Sequence, residues 1–344
     1  MSRERTVVHT ERSLLYCAIV TALWRSLLAV ALGIAALGTA LPADAQIRRI
    51  GWLSPPPSVT GEPELEALRK ALTELGYVEG RNIAIEARWA DGDAARLPRL
   101  ARSLVELKVD VICTAGTPAT LAAKQATTTI PIVFGRAAFP DRTGLVTSLA
   151  RPGGNLTGVT YIGPEYGKRL ELLREVSPKI SRVVLLYNDQ NTASVLAMNE
   201  TLQWAKTLQV VMQPLGVHDG ASLESAFASA RRGKLDALMT TSDPLLASYR
   251  AKIVEFASGR HLIAMYGDRV YVVAGGLMFY GTSTADMWRH AAIHVDRILK
   301  GAKPGDLPVE QPTKFELMIN MKTAKALGLT IPREVLLRAD QIIE

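Results

Sequence analysis

Residues 109–135, VDVICTAGTPATLAAKQATTTIPIVFG, decide the fold. The apolar run at 110–114 reads as a strand, 117–126 as a helix and 131–135 as a second strand. Thr117 suits the cap position of that helix and Pro118 its first turn, where a missing N–H costs nothing. A helix between two apolar strands is a βαβ unit, the building block of a parallel sheet covered by helices on both faces.

The same alternation extends in both directions. Upstream, 47–53 is a short apolar run closed by Ser54-Pro55-Pro56-Pro57. Leu65, Leu68, Leu72 and Leu75 recur at helical spacing before Gly76, 82–89 reads as a strand, and Leu97, Leu100, Leu104 and Leu107 mark the next helix. Downstream the pattern breaks at 144–158, where Arg151-Pro152-Gly153-Gly154-Asn155 is a turn cluster, and an extended segment runs to residue 162. It then restarts, with strands at 182–187, 210–217, 236–240 and 262–266 and helices at 165–176, 192–208, 223–231 and 244–258. A Gly-flanked extended segment at 275–281 leads into a helix carrying Trp288, Ala291, Ala292, Val295, Ile298 and Leu299. Residues 304–312 follow, then an extended run at 315–320 and two short helices.

This order predicts an α/β protein of two doubly wound, Rossmann-like lobes joined by a three-segment hinge. The expected lobes are 46–158 with 282–311, and 159–281 with 312–344. One large doubly wound domain is the alternative. The 344 residues, 48% of them hydrophobic, suffice for two separate cores. The net charge of +7 is scattered, with no basic cluster interleaved with aromatics, so nucleic acid is not an expected partner.

Arg3, Arg5, Arg12 and Arg25 precede or interrupt an apolar run, SLLAVALGIAALGTAL at 26–41, which ends in Pro42-Ala43-Asp44-Ala45-Gln46. Positive region, apolar region and small-residue site in that order predict a signal peptide over 1–45 and a periplasmic protein. A membrane anchor is the competing reading. Arg25 splits the apolar patches, and neither reaches the ~20 residues that span a bilayer. Cleavage would remove Cys17 and leave Cys113, a buried and inert thiol by its apolar neighbours.

Ligands of open parallel sheets bind beyond the carboxyl ends of the strands. Three junctions there carry suitable residues. The Thr117 helix start directs free N–H groups at an anion or carboxylate, or is simply a helix start. The segment at 187–194 offers Asn188, Asn191, Thr192 and Ser194 as donors and acceptors. Asp243, before Pro244, is either a helix cap or a carboxylate for a ligand ammonium. Tyr280 in the second extended segment completes the candidate set. No phosphate-loop, dinucleotide, nucleophile-elbow or zinc-protease motif occurs, so neither catalysis nor a cofactor is expected. Asp286, His290 and His294 share a helix face, where a solvated face or lobe contact outweighs a metal site.

Several segments together resemble the ABC-transporter substrate-binding proteins that include the tryptophan/tyrosine-type binders. They are Leu75-Gly76-Tyr77-Val78-Glu79-Gly80-Arg81-Asn82, Ala115-Gly116-Thr117-Pro118-Ala119-Thr120, Ile130-Pro131-Ile132-Val133-Phe134, the stretch from Gly144 through Arg151-Pro152-Gly153-Gly154-Asn155 to Gly158, Gly275-Gly276-Leu277-Met278, and Leu327-Gly328-Leu329-Thr330-Ile331-Pro332. The resemblance covers essentially everything after residue 46. It implies a type I periplasmic-binding fold and capture of a small solute, amino-acid-like or carboxylate-bearing, by a monomer that docks on an inner-membrane ABC permease. A ligand sensor without transport and a secreted α/β enzyme are the alternatives. By position, Thr117 matches the family's Thr-Pro helix start, and Tyr187-Asn188 with Asn191 and Ser194 matches its Tyr-Asn…Asn-Ser loop. Ser242-Asp243 stands where relatives often show Asp-Asn. Phe139-Pro140 departs from an Asp-Pro pair, which implies a lost polar contact in the cleft and puts an ordinary α-amino-acid ligand in doubt.

Overall fold

The computed structural model describes residues 47–161, 165–311 and 313–344; the expected export signal lies outside them. The first body of secondary structure comprises β1 (Arg48–Ser54), α1 (Ser58–Glu74), β2 (Ile83–Trp89), α2 (Leu97–Glu106), β3 (Val111–Thr114), α3 (Thr117–Ala126), β4 (Ile132–Ala137) and β5 (Leu156–Thr160). Its five strands lie in the order β2-β1-β3-β4-β5, every neighbour parallel. Alternate side chains leave on opposite faces of a strand, and here both faces are buried. Ile50, Trp52, Cys113 and Val133 pack on one side, Leu53, Ile112, Ile132 and Phe134 on the other. That is why these strands read as continuous apolar runs.

The chain then builds α4 (Glu165–Val176), β6 (Arg182–Asn188), α5 (Thr192–Thr207), β7 (Val211–Val217), α6 (Gly220–Arg232) and β8 (Ala237–Thr240). Next come α7 (Pro244–Ser248), α8 (Arg250–Gly259), β9 (Ile263–Tyr266), α9 (Val270–Val273) and β10 (Met278–Thr282). A long helix, α10 (Thr284–Leu299), crosses back to the first sheet. Residues 309–310 pass beside β5, where Glu310 N–H donates to the Gly158 carbonyl and Thr160 N–H donates to the Glu310 carbonyl, both at 2.9 Å. The chain ends with β11 (Phe315–Asn320), α11 (Met321–Ala326), α12 (Arg333–Leu336) and β12 (Gln341–Ile343). The second sheet has the order β12-β11-β10-β9-β8-β6-β7, parallel except between β10 and β11. Pro214 sits in β7 at the sheet edge, where its missing N–H leaves no ladder bond unmade.

The architecture is thus α/β with two sheets and three crossings between them. Some local expectations change. The helix expected over 244–258 is two helices. Tyr249 has φ −91° and ψ 11°, and its N–H bonds three residues back to Leu246, so the first helix closes tightly and a second starts. Residues 270–273 form a short helix, and 341–343 form an edge strand beside β11; three or four residues carry too little periodicity to be read from sequence.

Helix α10 fastens the first lobe. Trp288 is fully buried and packs against Trp52 with ring centroids 4.7 Å apart. Gly135 on β4 makes room for it, since a Cβ built there would lie 2.3 Å from the indole. Gly135→Ala should therefore destabilise the protein by about 1–3 kcal/mol through overpacking. Urea unfolding measures it, and an unchanged midpoint would contradict this packing.

Candidate functional site

Both sheets direct strand ends at one cavity of about 640 Å³, within the usual size of small-molecule sites. Gly116 and Thr117 after β3 and Arg136 at the end of β4 come from the first lobe. Asn191 after β6, Ser242 after β8 and Asp268 after β9 come from the second. These are the carboxyl ends of parallel strands, where such sheets bind ligands.

The first-lobe wall is preformed. Gly116, at φ 86°, is the cap residue of α3, so Thr117 occupies the first helical position rather than the cap expected from sequence. No side chain caps this helix. The Thr117 hydroxyl instead accepts from the Ala138 N–H at 3.1 Å, tying the helix start to the segment after β4. Thr120 donates to the Gly116 carbonyl at 2.8 Å, which fixes the glycine turn.

The second-lobe wall is organised around Asp243. Its carboxylate accepts from Asn188 at 3.2 Å, from Asn191 at 2.7 Å, and from the backbone N–H groups of Leu245 and Leu246 at 2.8 and 3.3 Å. Burial pushes this carboxyl above its usual value, although every one of these donors favours the charged form. Of the two roles open to Asp243 in the sequence, the cap is the one it fills. Ser194 accepts from the Asn188 N–H at 2.9 Å and bonds the Thr241 hydroxyl at 2.7 Å.

Arg136 joins the walls. It forms an ion pair with Glu64 of its own lobe, and reaches across to Asp268 at 2.7 Å and to the Ser242 hydroxyl at 2.9 Å. Burial alone would lower the guanidinium's pKa; the Glu64 and Asp268 carboxylates outweigh it and raise it, so the charge persists. Burial also raises the Glu64 carboxyl, against the pull of Arg136. Tyr161, in the first crossing, donates to the Ser242 carbonyl at 3.0 Å, its phenol pushed up to about 12 by burial.

Of the residues proposed from sequence, Thr117 and Asn191 line the cavity. Asn188, Ser194 and Asp243 form the buried cluster behind the second-lobe wall. Tyr280 stands apart on β10, stacked on Phe315 with centroids 5.8 Å apart. Phe139 does not line the cavity either; it is buried in a seam with Tyr166, Ala193 and Ala197 of the other lobe. His290 on α10 bonds Glu310, and fully buried His294 lies 3.5 Å from the same carboxylate. Among the described residues no group of three or more such side chains could hold a metal. Cys113 is buried and its thiol is pushed up to about 12 by burial. Sequence reasoning missed Glu64, Arg136, Tyr161 and Asp268. Arg136 and Asp268 carried a usable signal, as charged residues just past the apolar runs 131–135 and 262–266.

Thr117→Val should leave the Ala138 N–H without its acceptor and cost about 1–3 kcal/mol, whereas Thr117→Ser keeps the acceptor and should cost less. Denaturant unfolding of both variants checks this; equal stabilities would show the hydroxyl to be dispensable.

Residues 62–343 match the profile of a family described as ABC transporter substrate binding protein. A tyrosine-binding protein of Clostridioides difficile (strain R20291) is 30% identical over 261 residues, covering 76% of this chain and 75% of that one. A conserved domain protein of Vibrio cholerae O1 biovar El Tor has a solved structure with 27% identity and a TM-score of 0.82, covering 86% of this chain and all (100%) of that one. An ABC domain from Streptococcus pneumoniae, solved in complex with L-Trp, shows 26% identity and the same TM-score of 0.82 over 87% of this chain and 100% of its own.

Proposed function

The chain belongs to the ABC transporter substrate-binding protein family, and from that membership we propose that it is exported and captures a small carboxylate-bearing organic solute for an ABC importer. The observation that carries this reading is the cavity of about 640 Å³ whose walls come from the carboxyl ends of two separate sheets. A ligand there touches both lobes at once, so it binds the closed arrangement better than any open one and shifts the population toward closure. A permease can then distinguish loaded from empty protein by shape.

The chemistry of the wall supports a solute with an apolar body. Pro56, Pro63, Ala67, Ala247, Val270 and Val273 are among its apolar lining residues. The relatives named for tyrosine and solved with L-Trp bind solutes with a bulky apolar side chain and a carboxylate. In this reading Thr117 and Asn191 contact the solute, while Asn188, Ser194 and Asp243 hold the second-lobe wall in place. Export rests on the Arg-flanked apolar run and Ala43-x-Ala45, with the mature chain starting at Gln46 in the periplasm.

Protein taken rapidly from its native cells should have the intact mass of residues 46–344 and release one small organic acid per chain on denaturation. Mass spectrometry of chain and released compound tests both parts. A full-length, membrane-embedded chain would contradict export, and protein without any bound organic compound would contradict solute capture.

A further inference from the structure

We propose that this cleft selects a carboxylate on a bulky apolar body that carries no ammonium group beside the carboxylate, and so discriminates against the corresponding α-amino acid. The inference rests on the reading of the cleft as the solute site and specifies what that site accepts. It comes from a charge census of the walls.

Three guanidinium groups, Arg136, Arg250 and Arg269, line the cavity against two carboxylates, Glu64 and Asp268. Both carboxylates pair with the same guanidinium, Arg136. Glu64 pairs with Arg136, and Asp268 holds Arg136 through one oxygen and accepts from the Val270 N–H at 3.2 Å through the other. Asp243 lies behind the wall, saturated by two asparagine side chains and two backbone N–H groups. Residues 58–61, 162–164 and 312, the internal positions not fully described, contain no Asp or Glu. An ammonium entering this cleft would lose its water and, among the described residues, meet only carboxylates already paired with Arg136, which is costly for a buried charge.

The cations are placed the other way. Among the described residues Arg250 bonds only the Ala247 carbonyl, at 3.3 Å, and Arg269 only the Gln341 side chain, at 3.4 Å. Neither has a carboxylate within ion-pair reach among the described residues. Both are half-buried, so they are partly desolvated already and keep donors for an incoming anion. Phe139, where the sequence implied the loss of a polar contact, is sealed in the apolar seam beside Tyr166 and offers no carboxylate to an ammonium.

Three probes with one indole body separate the possibilities in calorimetric titration of the mature protein freed of its solute: indole-3-propionate, L-tryptophan and tryptamine. Indole-3-propionate should bind at least about tenfold tighter than L-tryptophan, and tryptamine should not bind. The double variant Arg250→Gln, Arg269→Gln, checked for unchanged thermal unfolding, should weaken indole-3-propionate by tenfold or more. Equal or tighter binding of L-tryptophan, binding of tryptamine, no binding of any probe, or unaltered affinity in the folded variant would each overturn the inference. The receptor reading is decided separately by the compound recovered from native protein. A recovered amino acid or amine would leave the receptor standing and remove the inference.

Discussion

Arg136 stands between a carboxylate of its own lobe and one of the opposite lobe, and this arrangement joins the two walls of the cavity. The guanidinium leaves the end of β4, pairs with Glu64 on α1, and spans the cleft to Asp268 and Ser242. Losing one partner of a buried pair costs about 3–5 kcal/mol, because it strands the other charge. Here Glu64, of the same lobe, pairs with Arg136 independently of Asp268. The cross-lobe bond to Asp268 then replaces hydration rather than rescuing a stranded charge, so its net contribution is small. On the receptor reading proposed above, a weak bridge of this kind lets the lobes part and leaves the decision between open and closed to the solute.

Further interlobe contacts include the Arg142–Glu200 ion pair at 2.8 Å and an apolar seam around Phe139. Phe139 has φ 48°, a left-handed conformation that costs a bulky residue about 1–2 kcal/mol. Its ring is 2% exposed and stacks on Tyr166 with centroids 6.2 Å apart. Burying a phenylalanine side chain contributes about 1.5–3 kcal/mol, which offsets the backbone cost. Phe139 thus makes a dry contact between lobes.

The sheets were legible because parallel strands buried on both faces leave unbroken apolar runs, as at 110–114 and 262–266, and because ten-residue helices separate them. Gly- and Pro-rich breaks marked the first and third passages between the sheets, whereas the Gly-flanked segment 275–281 belongs largely to β10 of the second sheet. The site was legible only where local chemistry marks it. Thr117 was found from a Thr-Pro helix start, and Asn188, Asn191, Ser194 and Asp243 from clustered polar residues after strands. That Asp243 would be consumed by Asn188 and Asn191, 55 and 52 positions away, depends on tertiary contacts that no local pattern encodes. The same holds for Glu64, which reaches Arg136 across 72 positions from within a helix whose sequence gives no sign of a site. Tyr280 was drawn into the set by its Gly-flanked segment, and strand alternation turned its ring to Phe315 instead.

Everything in this account turns on a cleft that closes around a solute held by both lobes. Small-angle X-ray scattering of the mature chain, first stripped of its native solute and then saturated with it, measures that closure directly. The account predicts a smaller radius of gyration with solute bound, and an unchanged radius at saturation would contradict it.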